Sequence, residues 1–141
     1  MAPLVSTIEI ARPPEEVFAY ATDPSRFAEW QHDVVKVHLL DGSRFTTTRR
    51  IRGAERTMTQ QITHNDPPHS WAARGTDGPI RPHATITVVP TDNGTSSRAT
   101  FTLDFEGHGI GLPLVPLVRR QARQQAPNSY QNLKQLLESN E

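Results

Sequence analysis

The sequence has no cysteine, which excludes disulfides, thiolate metal sites and cysteine nucleophiles together. It has no surplus of either charge, with 15 Lys and Arg against 15 Asp and Glu. The broad basic field that nucleic acid or an anionic membrane surface would need is therefore missing. No stretch approaches the ~18 consecutive apolar residues of a membrane span, and no long apolar run opens the chain. Stable membrane insertion is thus not expected, and a cytoplasmic location follows by default. The six histidines, at positions 32, 38, 64, 69, 83 and 108, include no His-Glu-x-x-His pair or other metal-ligating spacing. No Gly-x-Ser-x-Gly elbow supports a serine nucleophile. Hydrophobic residues reach only 35%. Even with glycine added, the share stays below the typical range of about 45–50%, which suits an interior that keeps some water. Length sets a positive bound: 141 residues make a single domain, residues 1–141, able to bury a real core.

What the chain does contain is periodicity. Residues 4–11 read as a strand, with Ile8 and Ile10 alternating with Thr7 and Glu9. Across 12–30 the period changes. Pro14 suits a helix start, Glu15 and Glu16 suit its positive end, and Val17 and Tyr20 lie three apart. Asp23 and Pro24 then read as the cap and first turn of a second short helix carrying Phe27 and Trp30. From residue 33 the period is two. The spacing predicts strands at 33–40, with Val35, Val37 and Leu39 in one row, at 44–52, and at 55–64, with Met58, Gln60 and Ile62 in one row. Further strands follow at 71–75, at 83–89, with Ala84, Ile86 and Val88, and at 97–105, with Ala99, Phe101, Leu103 and Phe105. Short turns join them, and the Asn93-Gly94 pair is the strongest hairpin signal. Consecutive strands with short turns argue for an antiparallel meander covered on one face only, because the other face is rich in threonine. The cover comes last. Between Leu114 and Leu137, Val118, Ala122, Ala126, Tyr130, Leu133 and Leu137 recur at helical steps, in a helix that Pro127 is expected to kink or break.

This order of elements, with the stretches IEIARPPEEVFAYATDPSRFAEW, ITHNDPPHSWAARG and NSYQNLKQLLE, resembles the START-like, SRPBCC-type helix-grip superfamily. Within it, the chain is most similar to the polyketide cyclase/dehydrase and lipid-transport branch. The resemblance covers nearly the whole chain. It implies an α+β helix-grip fold: a curved antiparallel sheet of about seven strands, two short helices after the first strand, and a long C-terminal helix. Sheet and helix would enclose a cavity for an apolar or amphipathic ligand. Members include carriers, cyclases and regulatory binders, so the fold alone does not fix the chemistry.

Against that expected architecture, one residue stands out. Phe45, Thr47, Arg49 and Ile51 share a strand face, so an inward Phe45 carries a guanidinium inward with it. A buried guanidinium needs a partner. The nearby acid, Glu55, belongs to the turn, so ligand or ordered water is the expected partner, and an anionic or carbonyl end group would suit it. Gln60, one strand over, is the second polar candidate. Trp71, Phe101, Phe105 and Tyr130, with the small Ala122 and Ala126, complete the expected ligand-binding wall, while Trp30 serves core or cavity. His64, in phase with Gln60 and Ile62, is either an acid or base at the cavity mouth or a solvated strand end. The GHGIG stretch (107–111) mimics a dinucleotide fingerprint at the wrong spacing and reads instead as a flexible corner. Arginines 50, 52, 56, 119, 120 and 123 are expected on solvated faces. The leading function is non-enzymatic binding or transport of a small hydrophobic ligand such as a lipid, polyketide or aromatic. The alternatives are a cyclase or dehydratase using Arg49, Gln60 or His64, or a partner-binding regulator. No catalytic residue, metal or cofactor is assigned, no nucleic acid partner is expected, and the oligomeric state stays open.

Overall fold

A computed structural model describes residues 3–51 and 53–139. Arg52 and the side chain of Ile51, both expected in the third strand, lie outside the described residues. The chain runs β1 (Leu4–Ile10), α1 (Pro14–Ala21), a 3-10 turn (Pro24–Arg26), α2 (Phe27–Trp30), then β2 (Val34–Leu39), β3 (Arg44–Ile51) and β4 (Ala54–Asp66). It continues with β5 (Ser70–Gly75), β6 (Ile80–Thr91), β7 (Ser96–Gly107), a 3-10 segment (Gly109–Leu114) and α3 (Val115–Ser139). All seven strands form one curved antiparallel sheet in the order β1-β7-β6-β5-β4-β3-β2. The expected meander is thus complete, and the first strand closes it by pairing with the last. No helix among the described residues is long and apolar enough to cross a membrane.

Local chemistry accounts for the elements. In α1, Pro14 stands in the first turn with Glu15 and Glu16, and Pro14, Val17, Phe18 and Ala21 form the buried stripe. The Asp23 carboxylate accepts from the Ser25 amide at 3.0 Å and starts the next turn. At the β2–β3 hairpin, the Asp41 carboxylate accepts from the amides of Ser43 and Arg44 at 2.9 and 2.8 Å. The Ser43 amide first, then the Arg44 guanidinium and amide, hold its pKa down at about 2. At the β6–β7 turn, Asp92, Asn93 and Gly94 all take positive φ, and Thr91 pairs with Ser96 across four intervening residues. The turn is therefore longer than the two-residue hairpin that Asn-Gly signals.

The row of β3 has the expected phase, with Phe45 and Thr47 buried inward and Arg50 exposed outward. In β4, Met58 and Gln60 are buried beside them. The β2 row departs from expectation. A bulge between Val34 and Lys36 makes Val35 the extra residue, so Val34 is buried while Val35 is 44% exposed. A second irregularity, between Ile62 and His64, ends the β4 phase, and His64 is exposed with its Nε2 at 2.7 Å from Ser70 Oγ.

The helix α3 is unbroken from Val115 to Ser139, with Pro127 inside it. The expected break at Pro127 does not occur. The carbonyl that Pro127 leaves without its helical donor belongs to Arg123, and both residues lie on the exposed face, where water can take that bond. One arginine expected in solvent is not there. Arg119 is 6% exposed and pairs with Asp104 of β7, because the helix lays that turn against the sheet. Arg50, Arg56, Arg120 and Arg123 are exposed as expected. Two glycines of 107–111, expected as a flexible corner, serve close approach, while Gly109 takes φ +57 with nothing within 4 Å of its Cβ position. A Cβ at Gly111 would sit 1.9 Å from the Pro79 carbonyl oxygen, and one at Gly107 would sit 2.7 Å from Val115 Cγ2.

Two apolar clusters occupy the space between sheet and helices. The larger joins α1, α2 and the C-terminal half of α3 to the sheet through Phe18, Phe27, Trp30, Phe101, Leu133 and Leu137. The smaller holds Met58, Ile80 and Val118, with Phe105, Leu114 and Val115 against it.

Candidate functional site

The site is built where these two clusters leave a gap. Small side chains at Ala122 and Ala126 leave room between α3 and the sheet, and a pocket of about 110 Å3 lies there. Arg49, Gln60, Trp71, Phe101, Phe105, Ala122, Ala126 and Tyr130 all line it, so the structure brings the expected wall residues together. It leaves out His64, which the irregularity in β4 turns to solvent. Met58 and Val118 of the smaller cluster join the wall beside Trp30 and Trp71 of the larger.

Arg49 is the first correction within the site. Its Nη1 donates to Asp33 Oδ1 at 3.0 Å and its Nη2 to Gln31 Oε1 at 2.8 Å. The partner is a carboxylate of this chain, not ligand or water alone. The reason lies in the sheet. Val34 of β2 sits opposite Arg49, which carries the segment just before it, with Gln31 and Asp33, up to the guanidinium. The pair is half-sheltered, with side-chain exposures of 20% and 17%. At that depth an ion pair counts for more than a surface pair and still sees some water. Gln31 and Asp33 line the pocket as well. The sequence reading missed both, because only the β2–β3 register reveals their approach.

Gln60 is partly committed too. Its Oε1 accepts from Thr47 Oγ1 at 3.0 Å, within the buried inner face. This bond explains how a threonine with no exposure sits in an apolar row.

The rest of the wall is aromatic. Phe101 and Tyr130 stack with centroids 4.1 Å apart, and Trp30 lies 5.9 and 6.2 Å from them. Phe27 makes edge contacts to Trp30, Phe45 and Trp71. Burial pushes the Tyr130 hydroxyl up to about 12; nearby Arg49 pulls down and Asp33 pushes up. It therefore stays protonated through neutral pH. The Trp30 Nε1–H is buried and has no hydrogen-bond partner among the described residues. Among those residues no cluster of three or more His, Asp or Glu is arranged to hold a metal. The site thus offers an apolar ring-lined space, the Tyr130 hydroxyl and a neutralised ion pair. That set can bind and orient a molecule.

Comparison with known proteins agrees with this fold. No curated protein sequence matches the chain. Among solved structures, the chain is similar to a START superfamily protein from Mycobacterium smegmatis, at 17% identity and TM-score 0.80, covering 99% of both chains. It is similar also to the Zhui aromatase/cyclase from Streptomyces sp. R1128, at 15% identity and TM-score 0.83, covering 96% of this chain and 93% of that one. At such identities the likeness is one of fold. The sequence itself decides membership: residues 1–138 match the family described as polyketide cyclase / dehydrase and lipid transport, and the chain belongs to that family.

Proposed function

We propose that this protein binds a small, largely apolar molecule in the pocket between α3 and the sheet, as a carrier or sensor. The observation that carries this reading is the pocket itself, a space of about 110 Å3 with an aromatic wall and polar groups gathered near Arg49 and Tyr130. Pockets of that composition, mostly apolar with a few placed polar groups, are what small-molecule sites look like. Leaving such a space empty is unfavourable, since a dry cavity costs about 24 cal/mol per Å3. A void kept in spite of that cost favours occupancy over imperfect packing. The test has two parts. Native mass spectrometry of protein purified from its own host should show a bound apolar mass, and Nile red added to emptied protein should brighten and be displaced by that ligand. Protein that carries nothing and takes up no dye would overturn the reading.

A second reading is a cyclase or dehydratase of the kind the family name includes. What favours it is the neutral Tyr130 hydroxyl near the Arg49–Asp33 pair, a hydrogen-bond donor able to polarise a substrate carbonyl. Incubation with a linear poly-β-ketone substrate separates the two. A carrier returns the chain unchanged, whereas a cyclising dehydratase returns it lighter by water.

A further inference from the structure

Between β7 and α3 the chain carries more apolar side chains than the fold buries. Residues 110–118 include Ile110, Leu112, Leu114, Val115, Leu117 and Val118. Leu114, Val115 and Val118 turn inward to the smaller cluster. The other three face water: Ile110 is 80% exposed, Leu112 62% and Leu117 38%. One exposed leucine needs no explanation, but three large apolar side chains on so short a segment form a patch, and such patches mark interaction surfaces. The patch is also held in place. Gly111, between its first two members, sits against the Pro79 carbonyl where no Cβ would fit, and its amide donates to the His108 carbonyl at 2.9 Å. A fixed backbone therefore presents Ile110 and Leu112 to solvent.

Charge indicates which partner the patch fits. The chain as a whole is balanced, yet from Gly107 to Leu137 it contains no Asp or Glu. Leu117, Arg120 and Arg123 step by three along one exposed side of α3, and neither arginine makes a hydrogen bond or ion pair among the described residues. The other cations of this stretch are engaged, Arg119 with Asp104 and Lys134 with Glu138. Acids on the flanking elements are bonded as well, Glu106 to His83 and His108, and Asp77 to the Thr59 amide and hydroxyl. An apolar tip followed by unpaired arginines suits an anionic lipid surface, with the tip among the acyl chains and the guanidinium groups at the headgroup phosphates. A second copy fits less well. A two-fold contact through this patch would bring Arg120 and Arg123 toward their own images, with no acid in the stretch to meet them. We propose that the protein docks reversibly on an anionic phospholipid surface through Ile110, Leu112 and Leu117, with Arg120 and Arg123 on the phosphates. The contact is peripheral, since no described helix is long and apolar enough to cross a membrane, and it does not depend on what the pocket holds.

The test is co-sedimentation of the full chain with vesicles of phosphatidylcholine alone and of phosphatidylcholine with phosphatidylglycerol at three to one. The chain should pellet with the anionic vesicles, stay in solution with the neutral ones, and be released as sodium chloride rises to about 0.5 M. Ile110→Ser combined with Leu112→Ser should weaken binding at least about tenfold, because two apolar groups no longer enter the lipid. Arg120→Gln combined with Arg123→Gln should weaken it roughly thirtyfold, the loss expected of two cations at an anionic surface. Leu39→Ser with Leu40→Ser, exposed at the β2–β3 hairpin, should change nothing. Should the Ile110, Leu112 variant fail to fold, the arginine variant and the lipid and salt dependence of the unaltered chain decide. Equal pelleting with both lipids, no pelleting with either, or full binding by the folded variants would each overturn the proposal. So would a dimer on gel filtration that the Ile110, Leu112 variant turns into monomer, which assigns the face to a second copy. Nile red uptake is measured separately, so failure here leaves the pocket reading standing.

Discussion

The ring of Tyr130 on α3 lies face to face with that of Phe101 on β7, centroids 4.1 Å apart and planes 17° from parallel. This contact ties the closing helix to β7, next to the edge strand β1, and Trp30 lies beside it on the pocket wall. Beyond it, toward the start of α3, the helix presents Ala126 and Ala122 and the pocket opens. Fold and site are thus joined through one aromatic pair. The C-terminal half of α3 is held by Tyr130, Leu133 and Leu137 in the main cluster, while its first turns rest on the smaller cluster through Val118.

That burial predicts an alkaline titration. The chain has 2 Tyr. Tyr130 is pushed up to about 12 chiefly by burial, and Tyr20 to about 12 by burial and by the Glu29 carboxylate that its hydroxyl bonds. Both folded values lie above the ordinary tyrosine value of about 10. The unfolded chain therefore loses its phenolic protons first, and the stability these groups contribute is present in full below pH ~10 and lost as pH rises toward ~12. Absorbance at 295 nm on Tyr20→Phe, which isolates Tyr130, should show no phenolate at pH 10.5 while the near-ultraviolet circular dichroism remains native. A phenolate signal developing at pH 10 with the fold intact would show Tyr130 open to water.

Arg49 predicts a cost that its neighbour does not share. Removing it leaves Asp33, at 17% side-chain exposure, without its cation. Arg49→Met should lower stability by about 1–3 kcal/mol in denaturant unfolding. Arg50→Met breaks only the exposed pair with Glu55 and should change stability by less than about 0.5 kcal/mol. The double change Arg49→Met, Asp33→Leu should recover most of the loss, because no charge is then left unpaired. Equal effects from the two single variants would mean that the inward face of β3 is assigned to the wrong residues.

The backbone at Gly111 offers a sharper contrast. A Cβ there would lie 1.9 Å from the Pro79 carbonyl oxygen, whereas one at Gly42 would meet nothing within 4 Å. Gly111→Ala should therefore destabilise by about 1–3 kcal/mol or more, as overpacking against backbone does, and Gly42→Ala should be near neutral. Thermal unfolding of the two variants checks both.

The limits of the sequence reading follow from the same particulars. The rows of Phe45, Thr47 and Arg49, of Met58 and Gln60, and of Ala99 and Phe101 were legible because strand alternation is local and survives pairing. The helix stripe was legible for the same reason at its own period. What failed was long-range or irregular. Val35 was misplaced by a bulge that no residue type announces. Arg119 read as a surface charge because its partner Asp104 lies on another element. Asp33 and Gln31 were missed because the pairing of Val34 with Arg49 lifts them to the site. The orphaned Trp30 nitrogen is a property of packed neighbours, and no spacing encodes it.

Pro127 interrupts the hydrogen-bond ladder of α3 while leaving the helix continuous. It lies on the exposed face, where an interior proline costs about 3 kcal/mol relative to alanine. Pro127→Ala should restore the bond to the Arg123 carbonyl and raise stability by about 1–3 kcal/mol, read as an increase in Tm of several degrees. An unchanged Tm would mean that water already satisfies that carbonyl fully and that the proline ring causes no strain there.

The last prediction concerns the space itself. Ala126 faces the pocket from α3, one turn before Tyr130. A leucine there adds three carbon atoms where the wall stands off, and its helix propensity is close to that of alanine. If the pocket is dry when empty, filling it removes part of a cavity penalty of about 24 cal/mol per Å3, which over about 110 Å3 comes to roughly 2–3 kcal/mol at most. Ala126→Leu should therefore hold or raise thermal stability and at the same time abolish Nile red uptake. Ala126→Ser, of nearly unchanged volume, should keep the dye. The pairing of outcomes matters, because a change that lost the dye by unfolding the protein would lower Tm as well. Leucine tolerated with dye uptake intact would place the binding space away from Ala126, and the ligand pocket would then have to be sought elsewhere on the sheet.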